Sequence, residues 1–235
     1  MGLQGTDPIG IFKKKKLGIK KRFGVSDEMK VEDAKRIGKK MKAKINDVML
    51  TCLAGGLDRY RLKKENKINE YEIRVGMPYN VRTSPKITEL RNQFAFIINP
   101  IPLGILDGFK RLKIIKKRMD YAKKLPEPWF GYLLSKMSSF LPSFLFKHIG
   151  QMSQYLTAVL TNMVGGDEKF IFLGSTVNFM CALVPPPDGV GIGVAVMSQA
   201  GKIYLSITTD KDLIPDAQFL VDCFIDEFNE LKKNC

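Results

Sequence analysis

The fold is read from KINDVMLTCLAGGLDRY, residues 44–60. Ile45, Val48, Met49, Cys52, Leu53, Gly56, Leu57 and Tyr60 recur there at three- and four-residue spacing, the pattern of a helix with a buried face. Asn46 stands where the cap of that helix is expected, because a short polar side chain can accept an orphan amide. The polar run Arg61–Lys67 closes the helix.

Toward the N-terminus, Ser26 followed by Asp27 and Glu28 reads as the start of an earlier helix, striped by Met29, Ala34, Ile37 and Met41. Before it, Gly- and Lys-rich sequence reads as a linker entering a short strand around Lys20–Val25. Toward the C-terminus, Tyr71–Met77 reads as a strand stopped by Pro78, and the continuous apolar run Gln93–Ile101 as a buried strand. Asp107 opens a basic helix with Phe109, Leu112, Ile115, Met119 and Ala122 on one side. Two short helices are expected on either side of Pro142. Strands follow at Leu156–Met163, Phe170–Val184, Val190–Met197 and Lys202–Thr209, the last two joined at Gln199-Ala200-Gly201. Pro215 leads a terminal amphipathic helix with Phe219, Leu220, Cys223, Phe224 and Phe228, its acids read as a solvated face. This order predicts an α/β fold, a mixed β-sheet covered by helices, with residues 1–25 a basic linker and first strand and 26–235 one domain.

Composition agrees with a packed domain. Of 235 residues 45% are hydrophobic, enough to bury a core. The net charge of +14 is concentrated: residues 1–44 hold 14 basic against 5 acidic side chains, and residues 106–124 hold 8 against 2. The remainder is nearly neutral, so high basicity alone does not argue for nucleic acid. Residues 13–44 offer only Phe23 as a stacking aromatic, and no nucleic-acid partner is expected. The densest apolar stretch, Trp129 to Ile149, is broken by Lys136, Pro142, Lys147 and His148, which argues against a membrane span. No secretory signal precedes Lys13–Lys16. Cys52, Cys181, Cys223 and Cys235 are widely spaced, so neither a zinc site nor a disulfide framework is predicted, and the expected setting is intracellular.

Catalytic chemistry is sparse. His148 is the single histidine, and its neighbours Phe146, Lys147, Ile149 and Gly150 include no acid to orient the ring. Gly189-x-Gly191-x-Gly193 lies in an apolar strand pattern with no helix after it. It is read as a place where a backbone or ligand approaches a strand, not as a phosphate loop.

A wider set of motifs resembles a known family. Lys44–Leu50, then Ala54-Gly55-Gly56-Leu57 and Arg59-Tyr60, are similar to the second half of the wax ester synthase/diacylglycerol acyltransferases, where an Asn-Asp pair opens a long helix. In order follow Arg74–Arg82, Arg91-Asn92-Gln93-Phe94, Thr161–Gly166, Pro186–Gly189, Ser198-x-x-Gly201 and Thr208-x-Asp210 to Pro215-Asp216, over roughly residues 17–231. Arg91 replaces an expected glycine, and Val164 an expected proline.

The resemblance implies the chloramphenicol-acetyltransferase-like, CoA-dependent acyltransferase fold, two similar halves around a tunnel for acyl-CoA and an alcohol. It implies that Asn46, Asp47, Asn92, Gln93 and Asn162 line the tunnel or bind substrate. Acyl-CoA enters as a substrate, with no cofactor. The family's base lies in an H-H-x-x-x-D-G motif of the first half, which this chain lacks: aligned on His148, Lys147 would replace the first histidine and Met152-Ser153 the Asp-Gly. The chain is therefore expected to be the C-terminal half of such an enzyme, inactive alone, completed by a missing N-terminal half or a second chain. Half of a fold leaves an apolar face that its partner covers. The alternative is a non-catalytic membrane-surface or lipid-droplet module. Met1-Gly2-x-x-x-Thr6 fits a myristoylation pattern, and the Trp129–Phe146 aromatics lie near the basic helix, so peripheral membrane contact is an expectation.

Overall fold

The computed structural model describes residues 7–80, 94–125 and 151–235. Asn92, Gln93, His148, the Trp129–Phe146 aromatics and the two helices expected around Pro142 lie outside the described residues. In chain order the elements are β1 (Lys21–Val25), β2 (Met29–Lys30), α1 (Val31–Lys40), α2 (Ile45–Glu65), β3 (Tyr71–Asn80), β4 (Phe94–Leu103) and α3 (Gly108–Ala122). Then come β5 (Ala158–Val164), β6 (Ile171–Phe172), β7 (Ser175–Thr176), β8 (Ile192–Gln199), β9 (Lys202–Asp210) and α4 (Ala217–Lys233). The main sheet runs β1-β9-β8-β5-β3-β4, with β2 continuing the β1 side of β9. β3, β5 and β8 are mutually parallel, and the other pairings are antiparallel.

The four α-helices among the described residues cover one face. α2 is the central rod, buried from Asp47 to Asp58, and packs against α1, α3 and α4. Its Leu50, Leu53 and Leu57 share a core with Val194 and Val196 of β8 and Leu205 and Ile207 of β9. The opposite face carries an extended segment instead. There Ser206 Oγ donates to the Ala182 carbonyl, Tyr204 Oη donates to the Asn178 carbonyl, and Phe179 meets Tyr204 edge-on at 4.8 Å. The segment explains Gly193, where a Cβ would stand 2.5 Å from the Val184 carbonyl oxygen. Phe170–Val184 is thus not one long strand: only the small β6–β7 hairpin is paired, and the rest lies over the sheet.

Other sequence expectations are corrected by long-range bonds. Ser26 does not open a helix. Its amide donates to Leu205 O and its Oγ accepts from Leu205 N, both at 2.9 Å, so it extends the β9 edge, and α1 starts five residues later. The basic segment before β1 is pinned rather than detached. Asp7, Phe12 and Lys13 are buried, and Asp7 accepts from Arg74 N, Arg74 Nη1 and Thr157 Oγ1 at 2.6–2.9 Å. Lys13 Nζ donates to carbonyls of Gln154, Leu156 and Gly189.

Proline placement follows from the ladder. Arg74 O accepts from Thr157 N, so even-numbered residues of β3 direct their backbone polar groups toward β5. Pro78 has the same parity and lies beyond Gly76, the last β3 residue paired with β5. Its missing N–H interrupts no bond, and β3 runs on to Asn80 along β4. By the same register, Pro100 and Pro102 direct their backbone outward at the open edge, where Arg118 Nη1 takes the Pro100 carbonyl at 2.8 Å. Among the described residues β4 is therefore an edge strand, with Phe94 and Phe96 exposed, not a fully buried one. No helix among the described residues is long and apolar enough to cross a membrane.

Candidate functional site

Two polar side chains from distant motifs meet at one end of the sheet. Asn46 lies in the first turn of α2, and Asn162 near the carboxyl end of β5, the middle strand of the three parallel ones. Asn162 Nδ2 donates to Asn46 Oδ1 at 2.5 Å. Among the described residues the Asn46 amide hydrogens and the Asn162 oxygen have no side-chain partner. Parallel sheets bind ligands beyond the carboxyl ends of their strands, and a helix start adds a positive field there.

Asp47 does a different job. The helix cap is Lys44, not Asn46, and Lys44 N donates to Asp47 Oδ2 at 2.8 Å. Asp47 is buried, its Oδ1 finds no partner among the described residues, and burial raises its pKa against the Lys44 amide and the nearby Lys123 charge. Asn46 and Asn162 are brought together, Asp47 lies inward beside them, and Asn92 and Gln93 lie outside the described residues.

The same end of the sheet is apolar and open. Tyr79 of β3, Phe94 and Phe96 of β4, and Met163 and Val164 of β5 are exposed there, Val164 at 83%. The β6–β7 hairpin adds Ile171, Phe172 and Leu173, the last 89% exposed at the turn.

Most remaining motif residues hold the fold. Arg59 Nε donates to Glu227 at 3.0 Å, and Tyr60 Oη donates to Asp216. Asp210 is buried and ion-paired to Lys21 at 2.9 Å. Sequence reasoning missed a buried cluster of Asp58, Arg111 and Glu227 between α2, α3 and α4. Glu227 is not part of a solvated face. The signal was one charge on each apolar stripe: Arg111 four before Ile115, Glu227 four after Cys223. A small cleft of about 220 Å³ beside this cluster is bounded by Phe109, Glu227, Leu231 and Asn234 and shares no residue with the Asn46–Asn162 end. Among the described residues no group of three His, Cys, Asp or Glu is placed to hold a metal.

The chain superposes on solved structures of one architecture. A wax ester synthase/diacylglycerol acyltransferase from Marinobacter aquaeolei VT8 matches with a TM-score of 0.71 at 16% identity, over 97% of this chain and 52% of that one. The condensation domain of the Monacolin K polyketide synthase matches with a TM-score of 0.57 at 12% identity, over 98% and 50%. The fold is thus one half of the chloramphenicol-acetyltransferase-like class.

Sequence narrows the class further. The model of the WS/DGAT C-terminal domain matches residues 90–232, more than half of the chain, and the chain belongs to the wax ester synthase/diacylglycerol acyltransferase family. Wax ester synthase/diacylglycerol acyltransferase 2 of Arabidopsis thaliana is 26% identical over 225 residues, 83% of this chain and 46% of the relative. A putative diacylglycerol O-acyltransferase of Mycobacterium tuberculosis is 26% identical over 216 residues, 87% and 42%. The chain spans about half the length of the curated relatives it matches.

Proposed function

We propose that this chain forms the C-terminal half of an acyl-CoA-dependent O-acyltransferase making wax esters or triacylglycerol, with the general base supplied from outside it. The observation that carries the reading is the Asn162–Asn46 hydrogen bond at the carboxyl end of the parallel strands. In the reaction a base removes the alcohol proton, the alcohol oxygen bonds to the thioester carbonyl carbon, the C–S bond breaks, and CoA leaves as its thiol. Asn162 engages the oxygen of Asn46, so the Asn46 amide hydrogens remain to stabilise charge developing on the carbonyl oxygen beside the positive end of α2. Acyl-CoA and a fatty alcohol or diacylglycerol are substrates, and no cofactor takes part. The half that bears the base covers the apolar rim at Phe94, Phe96 and Val164, whether joined to this chain or separate from it. On this reading the protein works inside the cell.

The test pairs the purified chain with the N-terminal half of the Marinobacter relative and follows acyl transfer from a long-chain acyl-CoA to a fatty alcohol. Turnover is expected in the pair and in neither half alone, with Asn46→Ala lowering it at least about tenfold, the scale of one lost transition-state donor. A pair that associates and turns over equally with Asn46→Ala refutes the role given to Asn46, and one that associates without turnover refutes the reading.

A further inference from the structure

The fold gathers lysines onto one exposed helical face. On α3 and in the two residues that follow it, Lys110, Lys113, Lys116, Lys117, Lys123 and Lys124 fall within an arc of about 140° at 3.6 residues per turn. The buried residues Arg111, Leu112, Ile115 and Met119 occupy the opposite side, against α2 and β4. One acid, Asp120, enters the arc, and it is paired with Lys116. Lys116 and Lys123 lie close enough to act on the carboxyl of Asp47, so the stripe borders the first turn of α2. Exposed Lys44, whose amide donates to the same Asp47 carboxyl, continues it, and exposed Lys42 lies two residues before. Among the described residues, Lys42, Lys44, Lys113, Lys117, Lys123 and Lys124 form no ion pair. The other basic segment is partly engaged, since Lys21 pairs with Asp210 and Lys14 Nζ binds the Asp212 carbonyl.

We infer that this α3 face docks on an anionic phospholipid bilayer. An extended row of ammonium groups on a convex helix suits a sheet of phosphate headgroups, each cation adding attraction that salt screens. Tyr121, 57% exposed at the margin of the stripe, is the amphipathic ring expected at a headgroup boundary. Nucleic acid fits less well. The exposed arc holds lysines and no arginine, Arg118 being engaged with Glu72 and Pro100 O, and Tyr121 is the one exposed aromatic on α3. The face borders the helix end that carries Asn46, so a docked bilayer lies beside the end of the sheet that would receive a lipid alcohol. Vesicle binding is scored without turnover, so its failure and failure of the acyltransferase reading are separate results.

The purified chain is sedimented with vesicles of neutral phosphatidylcholine, or of phosphatidylcholine with about one-third phosphatidylglycerol, across a salt series. Lys113→Glu/Lys117→Glu/Lys124→Glu is compared with Lys15→Glu/Lys16→Glu/Lys20→Glu, which makes the same charge change beside β1, the far edge of the sheet. Binding to anionic vesicles at low salt, lost near 1 M salt, is expected. The α3 triple should weaken partition on the order of 100-fold, at roughly fivefold per lysine, and the β1-side triple far less. Equal thermal melting of the three proteins shows that folding is intact. Absence of anionic-vesicle binding, equal binding to neutral vesicles, equal loss in both triples, or retention of duplex RNA without vesicles would each overturn the proposal.

Discussion

Arg111 Nη1 donates to Glu227 Oε1 at 2.7 Å with both side chains almost wholly buried, joining α3 to α4 inside the core. Asp58 of α2 stands 3.7 Å from the same guanidinium, and Arg59 reaches Glu227 from outside. Removing one partner strands a buried charge. Arg111→Met or Glu227→Gln is expected to cost about 3–5 kcal/mol in urea unfolding. The double change Arg111→Met/Glu227→Leu should recover part of that, because only the Asp58 carboxyl, which keeps the Gly104 amide, remains charged inside the cluster. A double variant as unstable as the sum of the singles would contradict this.

Gly56 sets how closely α2 and α4 approach. A Cβ there would stand 2.9 Å from the Phe224 Cα and 3.0 Å from its amide nitrogen, both backbone atoms that cannot swing aside. In an exposed helix Gly→Ala gains about 1 kcal/mol. Gly56→Ala is expected instead to destabilise by about 1–3 kcal/mol, as overpacking does. Chemical denaturation reads the sign directly.

Burial lifts the Asp58 carboxyl to about 6, although Gly104 N donates to it and Arg111 lies nearby. A carboxyl whose folded pKa exceeds its unfolded value adds stability that is complete below about pH 4 and lost as pH rises through the folded value. The stability of wild type relative to Asp58→Asn should therefore fall by roughly 2 kcal/mol between pH 4 and 7. A difference that grows across this range would contradict the assignment.

Asp7 ties the N-terminal segment to β3 and to the turn before β5 through Arg74 and Thr157. Asp7→Ala removes the buried acceptor shared by Arg74 N, Arg74 Nη1 and Thr157 Oγ1 and is expected to cost about 2–4 kcal/mol. It should also open Lys13–Lys16 to trypsin at concentrations that leave the wild type uncut there. Unchanged cleavage would show that the segment is held by Phe12 and Lys13 alone.

Periodicity made α2, α3, α4 and the β8–β9 hairpin legible in the sequence, because their apolar spacing is local. Ala200 and Gly201 take positive φ of 48° and 76°, the turn that the Gln199-Ala200-Gly201 signal implied. What escaped depends on distant partners. Ser26 looks like a helix opener until Leu205 claims its hydroxyl. Pro78 looks like a strand stop until the register shows that its nitrogen faces no partner. Glu227 looks solvated until Arg111 arrives from more than a hundred residues away. Of the candidate site, Asn46 and Asn162 were legible only through the family resemblance. Their meeting across 116 residues is a property of the sheet order that no local pattern carries.

The outward prolines of β4 also govern how this polypeptide can grow. A foreign strand laid along that edge would find two donors missing and one carbonyl already taken by Arg118, while at the far edge the amide and carbonyl of Val25 in β1 are already held by Gln218 of α4. Lateral recruitment of copy after copy is thereby discouraged. On the reading proposed above, a companion half meets the rim around Phe94 and Val164 rather than either edge of the sheet.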